Sequence, residues 1–475
     1  MKILFVAAES TPLVKIGGLA DVVGSLPKAL THLGHDVRVM LPRYGVIDIS
    51  GGKARPVIDN LCVEMPEGKS SFALQLADSF GEIIFYLVDA PEFSGSDRVY
   101  SADELRHFLL FNKAVVKLLP ELEWQPDVVH CHDWHTALVP MWLKESGWKG
   151  VTVFTIHNLA YQGFFDNRFL KTYDLERYWQ YKHHCFAKLP LNFLCQGIIW
   201  ADMVTTVSEN YAREIVTAEH GMGLDCLLRD RRDRFKGIIN GIDYEAYNPD
   251  NDCYIPANFN ISNLERRAIN KSELQRTVGF PAGPKLPVIG MVSRLDEQKG
   301  FDLVVDSIPS LMDSTDVQMV VLGKGLDHYQ NLLQELADRY PQRLALLTSF
   351  DEASAHLIYA GCDIFLMPSR FEPCGLGQLI AMRYGAVPVV RHTGGLVDTV
   401  TDLSPDLNTG TGFVFKDYDP QAMIGTVQRA ANSYIENNGW QQVIQRIMSQ
   451  DFSWQNSARK YDALYQNITE LKDHV

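Results

Sequence analysis

At 475 residues the chain is longer than one ordinary hydrophobic core organises, so two domains are expected. Apolar residues make up 46% and charged residues 21%, the balance of a globular chain rather than a disordered one. Its 44 Lys and Arg against 58 Asp and Glu leave a net charge of −14, which argues against nucleic acid or an anionic membrane as main partner. No run of about 18 apolar residues exists to span a membrane. The eight cysteines include no C-x-x-C pair and read as reduced, mostly packed thiols.

Ile3–Ala8 is a short apolar run interrupted by Glu9, which fits a buried first strand better than a leader peptide. A helix over Leu19–Leu33 and a strand over Asp36–Leu41 complete a βαβ opening, which predicts a doubly wound, mostly parallel sheet. The first loop carries Lys15-Ile16-Gly17-Gly18, a phosphate cradle with an ammonium group beside it. It is neither the dinucleotide fingerprint nor a P-loop, and a plain helix cap reads equally well. Ile83–Val88 is the next strand and Leu105–Leu119 an amphipathic helix. Asp127–His130 is a strand ending in H-C-H-D-W-H. His130, His132, Asp133 and His135 resemble metal ligands, but zinc sites draw a further ligand with its own spacing, so Asp133 reads instead as a hydrogen bonder to hydroxyls. Thr152–Ile156 ends at His157-Asn158-Leu159-Ala160-Tyr161-Gln162-Gly163, so Lys15, Asp133 and His157 fall at one edge of one sheet. Met203–Val207 is a strand, a helix surrounds Asn210–Thr217, and Gly237–Asp243 is a short strand ending in a turn. The polar, Pro-bearing stretch from Tyr247 to Asn260 reads as the domain boundary. It divides the chain into residues 1–248 and 249–452, with 453–475 a helix of uncertain docking.

A second α/β series begins at Pro287. Val288–Val292 is a strand, Ser293–Gly300 its loop and Phe301–Met312 its helix, so Arg294 and Lys299 flank a helix start where a diphosphate would sit, or stand as a solvated basic pair, the commoner fate of two charges on a loop. Val317–Leu322 leads to Gly323-Lys324-Gly325. Leu344–Thr348 leads to Phe350, whose ring suits stacking on a base. Ile364–Met367 is an apolar strand buried on both faces. Pro368 and Pro373 bracket its loop, and Gly375 and Gly377 precede a helical pattern from Gln378. Glu372 therefore lies just beyond the carboxyl end of a strand, where open α/β sheets bind ligands. The glycines let ligand oxygens approach N–H groups at the positive end of the helix. A carboxylate beside an anion-binding helix start suits a sugar nucleotide, and an ordinary strand–helix connection with a solvated Glu reads equally well from this stretch alone. Val387–Arg391 and Thr393-Gly394-Gly395-Leu396 follow. Gly17–Val23 and Gly394–Val400 match at five of seven positions, which reads as similar capping chemistry in each half rather than a duplicated domain. Asp417-Tyr418-Asp419 has the D-x-D form, but Pro420 follows it and makes Asp419 a helix cap.

Together these residues resemble the bacterial and plant-type glycogen (starch) synthases, over nearly the whole length. The resemblance rests on K-I-G-G-L at Lys15, H-D-W-H at His132, H-N-L-A-Y-Q-G at His157, N-G-I-D at Asn240, S-R-L-x-x-Q-K-G at Ser293, S-R-F-E-P-C-G-L at Ser369 and D-F-S-W at Asp451. It implies the GT-B architecture, an α/β fold of two doubly wound Rossmann-like domains facing a central cleft. It also implies a retaining transfer of glucose from ADP-glucose to the non-reducing end of an α-1,4-glucan, without cofactor or metal, in the cytoplasm or, after removal of a transit peptide, the plastid stroma. By carry-over, Lys15, Gly17, Gly18 and Asp21 would contact the donor from the first lobe, and Arg294 and Lys299 would bind its diphosphate. Glu372 with Cys374, Gly375, Leu376 and Gly377 would hold the glucose and phosphate, and Phe350 would sit near the base. Asp133, His157 and Asn240 would line the reaction centre, and Asn158, Tyr161 and Gln162 would meet the acceptor. Three positions depart from the family's pattern: Ile16 stands for a usual Thr, Cys195 for a frequent Lys, and Ile380 where related transferases carry a second Glu. Another nucleotide-sugar transferase, a glucan phosphorylase and a non-catalytic glucan-binding protein are the competing readings.

Overall fold

The computed structural model describes residues 1–50, 53–100, 103–173, 175–176, 191–349, 351–436 and 439–473. The chain forms two compact units, one of residues 1–241 together with 454–475 and one of residues 242–453. The first unit contains β1 Lys2–Val6, β2 Asp36–Pro42, β3 Arg55–Met65, β4 Gly68–Phe80, β5 Ile83–Asp89, β6 Val128–His132 and β7 Val151–Ile156. It continues with the short pair β8 Phe164–Phe165 and β9 Leu191–Asn192, then β10 Met203–Thr206 and β11 Phe235–Gly237. Nine of these strands form one sheet in the order β11-β10-β7-β6-β1-β2-β5-β4-β3. From β11 to β5 every pairing is parallel, whereas β4 runs antiparallel to both its neighbours. The order reverses direction at β1, so the loops after β1 and β6 flank a topological switch point, where sheets of this kind hold ligands.

The second unit repeats the device with β12 Val288–Val292, β13 Gln318–Leu322, β14 Leu344–Leu347, β15 Ile364–Met367, β16 Val387–Arg391 and β17 Phe413–Phe415. Their order is β14-β13-β12-β15-β16-β17, all parallel, with the switch point between β12 and β15. Those two strands carry the Arg294–Lys299 loop and the Glu372 loop.

Three expectations need correction. The strand expected over Gly237–Asp243 is instead Phe235–Gly237, because β10, its only neighbour, offers partners no further than Thr206. The boundary expected at residue 248 lies at Gly241. Ile242 N–H donates to Phe452 O at 2.9 Å, and the Arg383 guanidinium lies 4.3 Å from the centre of the Tyr244 ring, so 242–248 belong to the second unit. The polar stretch after it is a packed arm. The Asn270 amide holds Ala257 at both N–H (2.9 Å) and C=O (2.8 Å), and Phe259 lies in the core. Third, the cysteines are not all thiols. Cys226 is disulfide-bonded, whereas Cys62, Cys131, Cys195, Cys253, Cys362 and Cys374 are free.

The tail helix Trp454–Asp473 packs on α1 (Gly18–His32) of the first unit. Trp454, Tyr461, Leu464, Tyr465 and Ile468 share one core with Leu19, Val22 and Leu26. Asp462 bonds His35 Nε2 at 3.0 Å, and the Tyr465 hydroxyl meets His130 Nδ1 at 2.7 Å. Among the described residues no helix is long and apolar enough to cross a membrane. We expect Tyr465→Phe, which leaves His130 Nδ1 buried and unpaired, to lower the unfolding free energy by about 1–2 kcal/mol in a urea titration.

Candidate active site

In the first unit the strand ends at the switch point deliver a carboxylate each. Glu9, three residues beyond β1, is 2% exposed, and its Oε2 accepts the N–H groups of Ile16 at 2.5 Å and Gly17 at 3.1 Å. The K-I-G-G loop thus folds around a carboxylate of its own chain, and the Gly17 N–H is already bonded. Lys15 pairs with Asp21 at 2.7 Å and is half-exposed. The two glycines are not demanded by local packing. A Cβ at Gly17 would come no nearer than 3.5 Å to another atom, and one at Gly18 would meet nothing within 4 Å.

Asp133, directly after β6, holds φ 56°, ψ −179°, a costly conformation for a non-glycine residue that persists only where the surroundings fix it. They do so here, with Asp133 N–H donating to Thr155 O at 2.9 Å and Oδ1 accepting the His157 N–H at 2.7 Å. Burial pushes the Asp133 carboxyl up to about 7, against the pull of the His157 and Asn158 N–H groups. His157 Nε2 lies 2.9 Å from His132 Nδ1, and burial holds His157 down to about 3, so the ring is neutral near pH 7. His132 Nε2 is buried with no partner among the described residues. An unpaired lone pair there costs less than an unpaired N–H, so His132 donates from Nδ1 and His157 carries its own proton on Nδ1.

His130 is held by Tyr465 and by Thr155 Oγ1 at 2.6 Å, and His135 packs between Phe108 and Tyr100. Among the described residues no group of three or more His, Cys, Asp or Glu side chains is placed to hold a metal ion. Of the acceptor-side residues, Tyr161 is half-exposed and Asn158 Oδ1 caps a turn at Ala160 N–H. Gln162 is 3% exposed, and both ends of its amide are used on the framework, by Asn192 at 2.6 Å and Met222 O at 3.2 Å. Its side chain therefore supports the Tyr161–Gly163 turn. Asn240 is buried, its Oδ1 without a partner among the described residues, and Cys195 is buried in the first turn of the helix Phe193–Trp200.

In the second unit Lys299 Nζ lies 2.6 Å from Glu372 Oε2, which also accepts Ser369 Oγ at 2.9 Å. Glu372 is 4% exposed, and its Oε1 has no partner among the described residues. The loop is fixed from behind, where Gly395 N–H donates to Glu372 O at 3.0 Å. A Cβ at Gly394 would lie 1.8 Å from that oxygen, and one at Gly395 2.3 Å from Cys374 O. The echoed glycine pairs thus differ: the second lets one loop lie on another, while the first leaves open surface.

Gln378 bonds Cys374 O and Gly375 O and shapes the turn, in which Gly375 has φ 74°. The N–H groups of Gly375, Leu376 and Gly377 meet no acceptor among the described residues, while Cys374 is buried. Arg294 is half-exposed and pairs with Asp296 at 3.0 Å, and Arg370 N–H donates to Gln298 O at 2.9 Å, so the two switch-point loops are joined. Tyr418 carries Arg370 on its ring face and donates to Asp302, and Asp419 caps the helix Pro420–Glu436 at Ala422 N–H. Phe350 lies outside the described residues.

Residues 2–230 match the model of the starch synthase catalytic domain and residues 277–445 that of glycosyl transferases group 1. The glycogen synthase of Moorella thermoacetica is 44% identical over 482 residues, covering 99% of this chain and 98% of the relative. The chain belongs to the glycogen synthase family. That makes it a glycosyltransferase with the two-domain α/β architecture termed GT-B. The glycogen synthase of Gloeobacter violaceus is 42% identical over 473 residues, covering 98% of this chain and 99% of the relative. Among solved structures, the catalytic domain of starch synthase IV from Arabidopsis thaliana, bound to ADP and acarbose, superposes with a TM-score of 0.90 at 32% identity, covering 98% of this chain and 99% of that one. Sucrose-phosphate synthase from Thermosynechococcus elongatus shares the fold at a TM-score of 0.63 and 15% identity, over 99% of each chain.

For this member of the glycogen synthase family, sequence reasoning missed Glu9, Ser369 and Gln378. In the sequence Glu9 shows only as the break in an apolar run, and nothing marks the contacts that Ser369 and Gln378 make. We expect Lys299→Ala to lower the unfolding free energy by about 3 kcal/mol, the scale for leaving a buried charge unpaired. Arg294→Ala, on an exposed side chain, should change it by less than about 1 kcal/mol. Urea titration of both variants checks this.

Proposed function

We propose that this glycosyltransferase moves glucose from ADP-glucose to the non-reducing end of an α-1,4-glucan with retention of configuration, in the cytoplasm or a plastid stroma. The observation that carries the reading is the second unit's switch point, where cations, a carboxylate and a turn with three unbonded N–H groups stand together. In this unit Arg294, Lys299 and the N–H groups of Gly375–Gly377 would bind the diphosphate. The free Oε1 of Glu372 would accept a glucose hydroxyl. In the first unit Lys15 and the open surface at Gly18 would meet the donor, with Gly17 shaping the turn between them and Asp21 orienting Lys15. Asp133, His157 and Asn240 would line the sugar, and Asn158 and Tyr161 would meet the acceptor.

The step breaks the bond from the glucose anomeric carbon to the phosphate oxygen and forms one to the acceptor's 4-hydroxyl oxygen on the same face. The hydroxyl proton passes to the departing phosphate, and ADP leaves. Negative charge grows on the diphosphate, so fixed donors aimed there supply the largest catalytic contribution. Positive charge grows on the ring, where the Asp133 carboxylate stabilises it. A retaining glycosidase would need two carboxylates about 5–5.5 Å apart. Ile380 denies the Glu372 motif a second one, which favours the single-displacement route on one face.

Incubation with ADP-glucose or UDP-glucose plus glycogen, followed by linkage analysis, tests the reading. We expect α-1,4-linked incorporation from ADP-glucose, and Arg294→Ala to lower turnover by about 10²-fold or more. Incorporation from neither donor, or full turnover in that variant, would overturn it. The pH dependence follows from Asp133. Its raised value leaves it protonated below about 7, so kcat/KM should fall there by about tenfold per pH unit. His157, at about 3, adds no limb above pH 4. Asp133→Asn should abolish the limb and lower the plateau, and an unchanged profile would remove Asp133 from the reaction.

A further inference from the structure

The turn before α1 presents the N–H groups of Ile16 and Gly17 to a single point, the geometry that captures an anion. The anion at that point is Glu9. Its Oε2 takes both N–H groups, while the Tyr100 hydroxyl reaches Oε1 at 3.4 Å. A carboxylate only 2% exposed is costly unless donors surround it, so three contacts on one side chain mark it as built in. A phosphate could take the same N–H pair only by pressing its charge against this carboxylate. The donor must therefore meet the loop on either side of the held pair, at the Lys15 ammonium before it and the open Gly18 after it.

We propose that Glu9 is a positioning residue for the nucleotide-sugar donor, fixing the Lys15–Gly18 loop from beneath by its grip on the Ile16 and Gly17 N–H groups. The proposal rests on the donor reading above. Reach, not charge, is what this role requires. A Gln side chain has the same length and presents an amide oxygen to the same N–H pair, whereas Asp keeps the charge but falls one methylene short.

The test compares full-length Glu9→Gln, Glu9→Asp and Glu9→Ala for ADP affinity by calorimetry, for KM toward ADP-glucose and toward glycogen, and for Tm. We expect Asp and Ala to weaken ADP binding and raise the ADP-glucose KM by about tenfold, the effect of losing one good hydrogen-bonded contact. The glycogen KM should stay within about twofold, and Gln should match or better the parent in donor affinity. If Glu9→Ala does not fold, the contrast between Asp and Gln decides. Donor affinity unchanged in Asp, or lost in Gln as in Asp, overturns the proposal, as does an equal rise in both KM values. A parent protein that transfers glucose normally while Asp behaves like it sinks this inference alone. A parent that neither binds ADP nor uses ADP-glucose sinks the donor reading and this inference with it.

Discussion

A buried carboxylate has to be met by donors, and in this chain that requirement shapes the loops at both switch points. Glu9 draws the K-I-G-G loop around itself, Asp133 draws in the backbone after β7, and Glu372 draws Lys299 across from the neighbouring loop and Ser369 from its own. Asp363 is treated the same way away from the site, held by Lys271 at 2.7 Å and by Val288 N–H at 2.9 Å. The Asp133–His157 and Glu372–Lys299 contacts each join the loop after one parallel strand to the loop after its neighbour. Loop geometry therefore depends on sheet order, and disturbing one partner disturbs two loops.

The same arrangement explains why the charges of the second unit do not simply neutralise one another. Lys299 and Ser369 both use one Glu372 oxygen, which leaves the second oxygen and the remaining ammonium hydrogens uncommitted among the described residues. Arg294 is spread between Asp296 and Gln298 at the surface, where such pairing is weak and exchangeable. The buried pair supplies rigidity and the exposed cation supplies adjustable charge.

Where a strand is buried on both faces, the sequence declares it. Val288–Val292 and Ile364–Met367 are unbroken apolar runs, Val387–Val390 is another closed by Arg391, and the structure has strands over Val288–Val292, Ile364–Met367 and Val387–Arg391. β3 was invisible because Arg55–Met65 is largely exposed and mixes polar with apolar residues, leaving no run to read. The positions of Arg294, Lys299 and Glu372 were legible from loops after strands, but their mutual pairing was not, since residues 73 apart meet only through the β12–β15 adjacency. Glu9 illustrates the limit most plainly. As a letter it only interrupts an apolar run, and its role appears once the chain has turned back on it.

The second unit interrupts the first, which is completed only by the helix Trp454–Asp473. On the ribosome, residues 1–241 emerge first yet lack Trp454, Tyr461 and Tyr465, the large side chains that close the surface of α1 and cap His130. Residues 242–453 have all their strands before that helix is made. The usual order of synthesis is thereby inverted. The later unit is able to mature first, and the earlier one waits with apolar surface uncovered, the state in which a nascent chain most needs a chaperone.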